Sequence, residues 1–329
     1  MLVKTRSRFA LLVSAVLGLL ALACLGARQG DKTPIGPRWW PSEWGAGDER
    51  GAINRQTAAS VVAASRLIRD GRIFSLGRVY EQGMPLFGKR HFSLTIPGSP
   101  TGGPLGTNAL VHHDEVVSGE IGQIGTQFDG LGHIGVRMGG EDYFYNGFKR
   151  SEFATAYGLE RLGIEKVGVF FTRGVLMDVP ALKGVDRLKA GDVITPGDLV
   201  AALERQKVDV REGDAVLIRT GHSALWMKDN AAYNAGEPGI GMEAARWLAE
   251  RKIVLVGSDT WATEVVPFEK AERVHEIHQL LLVRHGIYNL ENLDLDELAR
   301  DRVYEFAFIY APLRLKGATG SPGNPIAVR

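Results

Sequence analysis

The chain has 329 residues, 45% of them hydrophobic and 23% charged, a globular composition long enough for one large domain or two small ones. Lys plus Arg number 39 against 38 for Asp plus Glu, so no net field draws a nucleic-acid backbone or an anionic membrane surface. A small molecule is the expected partner, and the single cysteine, Cys24, leaves the folded part without a disulfide or a thiolate for catalysis.

Residues 1–27 read as an export signal: Lys4, Arg6 and Arg8 precede an apolar run from Phe9 to about Leu25, and polar residues follow. Ala21-Leu-Ala23 offers small residues to signal peptidase and leads into Cys24, as in a bacterial lipoprotein box. The expected locations are therefore the periplasm or a membrane, held there by lipidated Cys24 or by a retained apolar anchor. Residues 28–44, rich in Pro, Gly and Trp toward their end, read as an irregular entry segment, and 45–329 as one mixed α/β domain.

Within that domain Thr57 caps a helix whose stripe is Val61, Val62, Ala64, Leu67 and Ile68, and Gly71 stops it. Ile73 to Leu76 reads as a strand. Residues 81–108, with many Gly and Pro and no sustained period, read as a long loop over a site, with Phe87, His91 and Phe92 available to a substrate. Strands are expected at 168–171, 174–178, 214–220 and 253–259. Helices are expected from Thr195, with Pro196 at its first position, and across 241–251.

Between these lies Gln123-Ile-Gly-Thr-Gln127-Phe-Asp129-Gly-Leu-Gly-His133. Its polar residues fall on odd positions, one face of an extended strand, yet ten straight steps at roughly 3.3 Å would span about 33 Å. The segment must bend to gather them, and Gly125, Gly130, Gly132 and Gly135 permit bends. Amide and carboxylate oxygens suit a hard or borderline divalent ion, with His133 either a further ligand or a base. Spacing alone is equally compatible with a Gly-rich turn that happens to carry polar residues.

A second constellation follows. His275 and His278 sit on an expected helix from Glu272 to His285, ended by Gly286, and Glu291 lies in the apolar run Ile287 to Leu293. Burying Glu291 without a cation or donor would be costly. No Gly-x-Ser-x-Gly elbow appears, and Gly236-Glu-Pro-Gly-Ile-Gly241 lacks dinucleotide-binding spacing, which argues against a serine hydrolase and an oxidoreductase.

These segments, with Gly47 to Asn54, Tyr145-Asn-Gly147, Arg173 to Asp178, Gly213-Asp214, Arg219-Thr-Gly221 and Gly257-Ser-Asp259, resemble in order the cyclase family, which includes kynurenine formamidases and isatin hydrolases. The family hallmark is His-x-Gly-Thr-His-x-Asp-x-Pro-x-His. Gly125, Thr126, Asp129 and His133 match it; Gln123 and Gln127 replace the two leading histidines, and Leu131 the proline. The resemblance implies a swivelling β/β/α-type fold and a hydrolase of cyclic amides, simple amides or lactones using Mn2+ or Zn2+, assembled as a homodimer or homotetramer. It assigns the metal to Gln123, Gln127, Asp129 and Glu291, and catalysis to His133 and His278. The glutamines inherit ligand positions by alignment only, and a neutral amide oxygen binds zinc less tightly than imidazole, which makes manganese competitive. The rival is an exported binding protein that kept the fold and lost the chemistry.

Overall fold

Nine strands form one mixed sheet in a computed structural model that describes residues 32–329. In chain order they are β1 (Ile73–Ser75), β2 (Gln127–Asp129), β3 (Phe170–Asp178), β4 (Ala215–Arg219), β5 (Leu255–Ser258), β6 (Tyr288–Glu291), β7 (Glu305–Tyr310), β8 (Gly320–Pro322) and β9 (Ile326–Val328). Their order across the sheet is β8-β2-β6-β5-β4-β3-β7-β9-β1. β3 to β6 run parallel and every other pairing is antiparallel. Central parallel strands are covered on both faces, which is why β4, β5 and β6 read as apolar runs rather than alternating ones. Trp39–Arg329 is one compact unit; residues 32–38 hold only the short pair Lys32–Thr33 and Gly36–Pro37. The export-signal and lipidation readings fall on residues 1–27, outside the described residues.

The helices follow their caps. Thr57 accepts from the Ser60 backbone N–H and caps α1 (Ala58–Ser65), although only Ala64 of the expected stripe is buried and Val62 and Ile68 face solvent. Thr195 forms a capping box with Asp198, with Pro196 starting α2 (Pro196–Gln206), and α3 is Met242–Glu250. The two strands expected at 168–178 are one, β3, because Thr172 and Arg173 remain in register with β7. Residues 81–108 are not a plain loop: Phe92–Thr95 pairs with Val116–Gly119, and Gly102–Leu105 with Leu110–His112. Gly102, Gly103 and Pro104 hide the two-residue alternation in the second pair.

Several segments carrying the family resemblance hold the fold rather than the site. Arg173 bonds Asp214 at 2.8 Å, Glu305 at 2.6 Å and Asp209 at 2.8 Å, tying β3 to its neighbours. Asp259 accepts from the Thr220 N–H, the Thr220 hydroxyl and the Gly221 N–H, joining the ends of β4 and β5. Asp48 accepts from the Tyr145 hydroxyl and Asn54, and Asn146 donates to the Gly45 and Asp48 carbonyls, fixing the entry segment.

Alternation along β2 and β6 decides what faces the site. Phe128 packs against Phe170, Tyr288 and Tyr310 with ring centres 5.0–5.5 Å apart, and all four rings are buried. Gln127 and Asp129 therefore project from the opposite face of β2, as Asn289 and Glu291 do from β6. Phe128→Ala is expected to cost about 3–5 kcal/mol by opening a cavity under the strand. Urea unfolding checks this; a loss under about 1 kcal/mol would mean that β2 is held mainly by its polar face.

Candidate metal centre and cavity

The segment 123–133 bends on both sides of a three-residue strand. Gly125 has φ +58, and a Cβ there would lie 2.7 Å from the Tyr80 ring, so no side chain fits. Asn292 donates to the Gly125 carbonyl at 2.7 Å, and the Thr126 hydroxyl donates to the Asn292 carbonyl at 2.8 Å, locking the first bend to the end of β6. Beyond β2, His133 N–H donates to the Gly130 carbonyl and closes a turn that swings the histidine back toward Asp129. At Gly132 a Cβ would meet Leu159 at 2.3 Å.

The strand register sets Gln127 opposite Glu291 and Asp129 opposite Asn289. His278 arrives from another direction. Its helix begins at Glu276, four residues later than expected, because His275 takes a left-handed backbone (φ 48); it continues past Glu276–His278 as a π-helix, Gln279–Arg284. Glu264, on the loop after β5, accepts from His278 Nδ1 and lies 3.3 Å from His275 Nδ1. Nε2 of His278 then faces Glu291 Oε1 at 3.2 Å and Asp129 Oδ2 at 3.6 Å.

Asp129, His278 and Glu291 are all buried, and one donor atom from each lies within 4.8 Å of the others. Bonds of 2.0–2.2 Å in a tetrahedron put ligand atoms about 3.4 Å apart, which matches the 3.2 and 3.6 Å separations. Charge points the same way. Burial, reinforced by the Asp129 charge, pushes the Glu291 carboxyl above the usual range, so this pair calls for a proton or a cation. The Asn289 amide donates to Glu291 Oε1 at 2.7 Å and to Asp129 Oδ2 at 3.4 Å, steadying both carboxylates, and lies 3.1 Å from His278 Nε2. Oxygen, oxygen and imidazole donors fit a divalent ion such as Mn2+ or Zn2+.

His133 Nε2 lies 3.8 Å from Asp129 Oδ1. Burial lowers its pKa below the ordinary histidine value against the pull of Asp129, with His278 and Arg90 adding to the lowering, so the imidazole is neutral at pH 7. For Glu264, burial is outweighed by hydrogen bonds with His275 and His278, which hold its carboxyl at about 2. For His278, the same carboxylate and Glu291 overcome burial and raise it well above the ordinary value. These groups surround a cavity of about 230 Å³ floored by Gln127, Asp129, His278 and Glu291, with Phe87, Arg90 and Trp261 also lining it. A larger cavity of about 360 Å³ lies beyond Glu264, between α3 and the 268–277 segment, and reaches neither Asp129 nor Glu291.

The Cyclase family model matches residues 74–265, more than half of the chain. The chain belongs to the cyclase family. A crystal structure described as a novel cyclase is similar to it at 34% identity and TM-score 0.78, covering 87% of this chain and 96% of that one. A kynurenine formamidase from Bordetella petrii is 34% identical over 114 residues; the match spans 34% of this chain and only about half, 47%, of that enzyme. Isatin hydrolase A from Labrenzia aggregata, bound to benzyl benzoate, shares the fold at 22% identity and TM-score 0.55, covering 83% of this chain and 98% of that one.

Within this cyclase fold the two glutamines behave in a way that spacing could not reveal. Gln123 Nε2 donates to Asp129 Oδ1 at 2.8 Å and Gln127 Nε2 to Glu291 Oε2 at 2.6 Å, so each turns an N–H, not its oxygen, to a carboxylate. Of the three residues assigned to a substrate, Phe87 is among those lining the cavity and His91 and Phe92 are not. His91, just before the strand Phe92–Thr95, is exposed and turned to Glu120 and Ser118, and Phe92, in that strand, packs on Tyr80. Residues beyond the expected set are Glu264, Asn289, Arg90 and Trp261. Asn289 is two positions before Glu291 in one strand and so shares its face. Glu264 and Trp261 follow the carboxyl end of a parallel strand, where α/β folds place ligands.

Proposed function

We propose that this cyclase is a metal-dependent hydrolase opening a cyclic amide, a simple amide or a lactone. The observation that carries the reading is the convergence of Asp129, His278 and Glu291 on the floor of a cavity that His133 also faces. In this reading those three residues hold the ion, and Gln123 and Gln127 brace its carboxylates. A bound divalent ion would supply Lewis acidity toward the carbonyl and a lowered pKa for water.

The chain's own residues do the rest. His133, neutral, largely buried and lining the cavity, accepts a proton at a ring nitrogen, and a base in this role works within about 3.2 Å of its water. Glu264 fixes His278 through Nδ1, which keeps Nε2 aimed at the two carboxylates. Glu237, fully buried, accepts from the Trp261 and Ala262 N–H groups and holds the loop carrying the indole at the cavity wall.

The test is chelation. Dialysis against a chelator should reduce hydrolysis of an amide and lactone panel at least a hundredfold, with Mn2+ or Zn2+ restoring it. Full activity in metal-free protein would defeat the proposal, and ligand binding without turnover in metal-loaded protein would replace it with a binding function.

A further inference from the structure

Arg90 is the one guanidinium among the residues lining the cavity, and its setting differs from that of Arg78, Arg173 and Arg219, which are also largely buried. Arg78 meets Asp294 at 3.0 Å, Arg219 meets Asp178 and Asp296, and Arg173 meets three carboxylates. Among the described residues no carboxylate lies within ion-pair distance of Arg90. Its polar contact is a long one, 3.5 Å from Nη2 to the Gln123 carbonyl oxygen, a neutral acceptor.

The guanidinium is nevertheless held in place. Phe87 stacks on Trp261, with ring centres 4.3 Å apart and planes at 16°, and Arg90 lies 5.6 Å from the Phe87 ring centre. Trp261 is in turn hydrogen-bonded to Glu237 and to the Tyr233 carbonyl. A charge fixed by an aromatic stack loses little freedom when it meets a ligand. Gln123 completes the arrangement: its carbonyl faces Arg90 while its N–H donates to Asp129, so an amide spacer stands between the cation and that carboxylate. A direct Arg90–Asp129 pair would consume both charges. The spacer leaves Asp129 to the floor of the cavity and Arg90 to whatever enters it.

We infer that the substrate carries a carboxylate beside its scissile amide or lactone, and that Arg90 receives it. A guanidinium is charged at every working pH and matches a carboxylate with two parallel N–H donors. This inference rests on the hydrolytic reading of the cavity only in calling the ligand a substrate; anion recognition by Arg90 is measurable without turnover.

The test uses the metal-loaded full chain and two probes of equal shape, benzoate and benzamide, titrated by calorimetry against wild type, Arg90→Gln and Arg90→Lys, with melting curves confirming that each variant is folded. In wild type benzoate should bind at least about tenfold more tightly than benzamide, the range of a charge-assisted contact. Arg90→Gln should bring that ratio close to one, and Arg90→Lys should keep part of it. Equal affinities in wild type would overturn the inference. So would a preference that survives Arg90→Gln, since the anion would then be held at the Asp129 centre. If benzoate shows the Arg90-dependent preference while no amide or lactone is hydrolysed, anion recognition stands and the hydrolytic reading falls.

Discussion

Replacing Asp129 by asparagine is expected to empty the centre of metal and to lower kcat/KM about 10³-fold, roughly 4 kcal/mol of transition-state stabilisation. The substitution is nearly isosteric at a fully buried position, so the fold should survive. The electrostatics do not. Asp129 receives N–H groups from Gln123 at 2.8 Å and Asn289 at 3.4 Å, and an amide in its place must turn its own NH2 toward one of these donors or toward His278. Two donors then face each other in a buried site, and one carboxylate of the proposed ligand set is lost. Elemental analysis beside steady-state kinetics decides the matter; full metal content with activity within threefold of wild type would remove Asp129 from the centre.

His133→Asn should separate chemistry from metal binding. The imidazole touches the proposed ligand set only through a 3.8 Å approach to Asp129 and takes no part in the Asn289 network. Metal content should therefore stay near wild type while kcat falls by about 10²–10⁴, the range of a positioned general base. Loss of metal in this variant, or kcat within tenfold of wild type, would make His133 a ligand or a bystander. The pair of variants is more informative than either alone: one should lose metal and activity together, the other activity only.

How much of this was legible beforehand depended on the kind of signal. Apolar runs reported β4, β5 and β6 within about two residues, because burial on both faces leaves an unbroken hydrophobic record, and caps and amphipathic spacing did the same for α2 and α3. The polar stretch from Gln123 to His133 announced a bend through its length and its glycines. What sequence spacing could not reveal was which atom of each glutamine meets a carboxylate, since an amide is donor and acceptor at once and only its neighbours decide its orientation. The late start of the His278 helix leaves no mark in the apolar spacing, because a left-handed turn at a non-glycine residue such as His275 is uncommon even for histidine. Arg90 carries no mark in the sequence for a related reason: its isolation from carboxylates is a property of three dimensions.

The pairing of β2 with β6 joins residues about 160 positions apart, and His278 enters from a third segment. During synthesis a growing chain holds Asp129 long before it holds either companion, since Glu291 follows it by 162 positions. β8, which flanks β2 on its other side, is made later still. A nascent or truncated chain thus offers at most scattered, weak donors to passing ions. The centre becomes available only as β6 and β8 close around β2, so capture of the proposed ion would act as a check on the closed sheet.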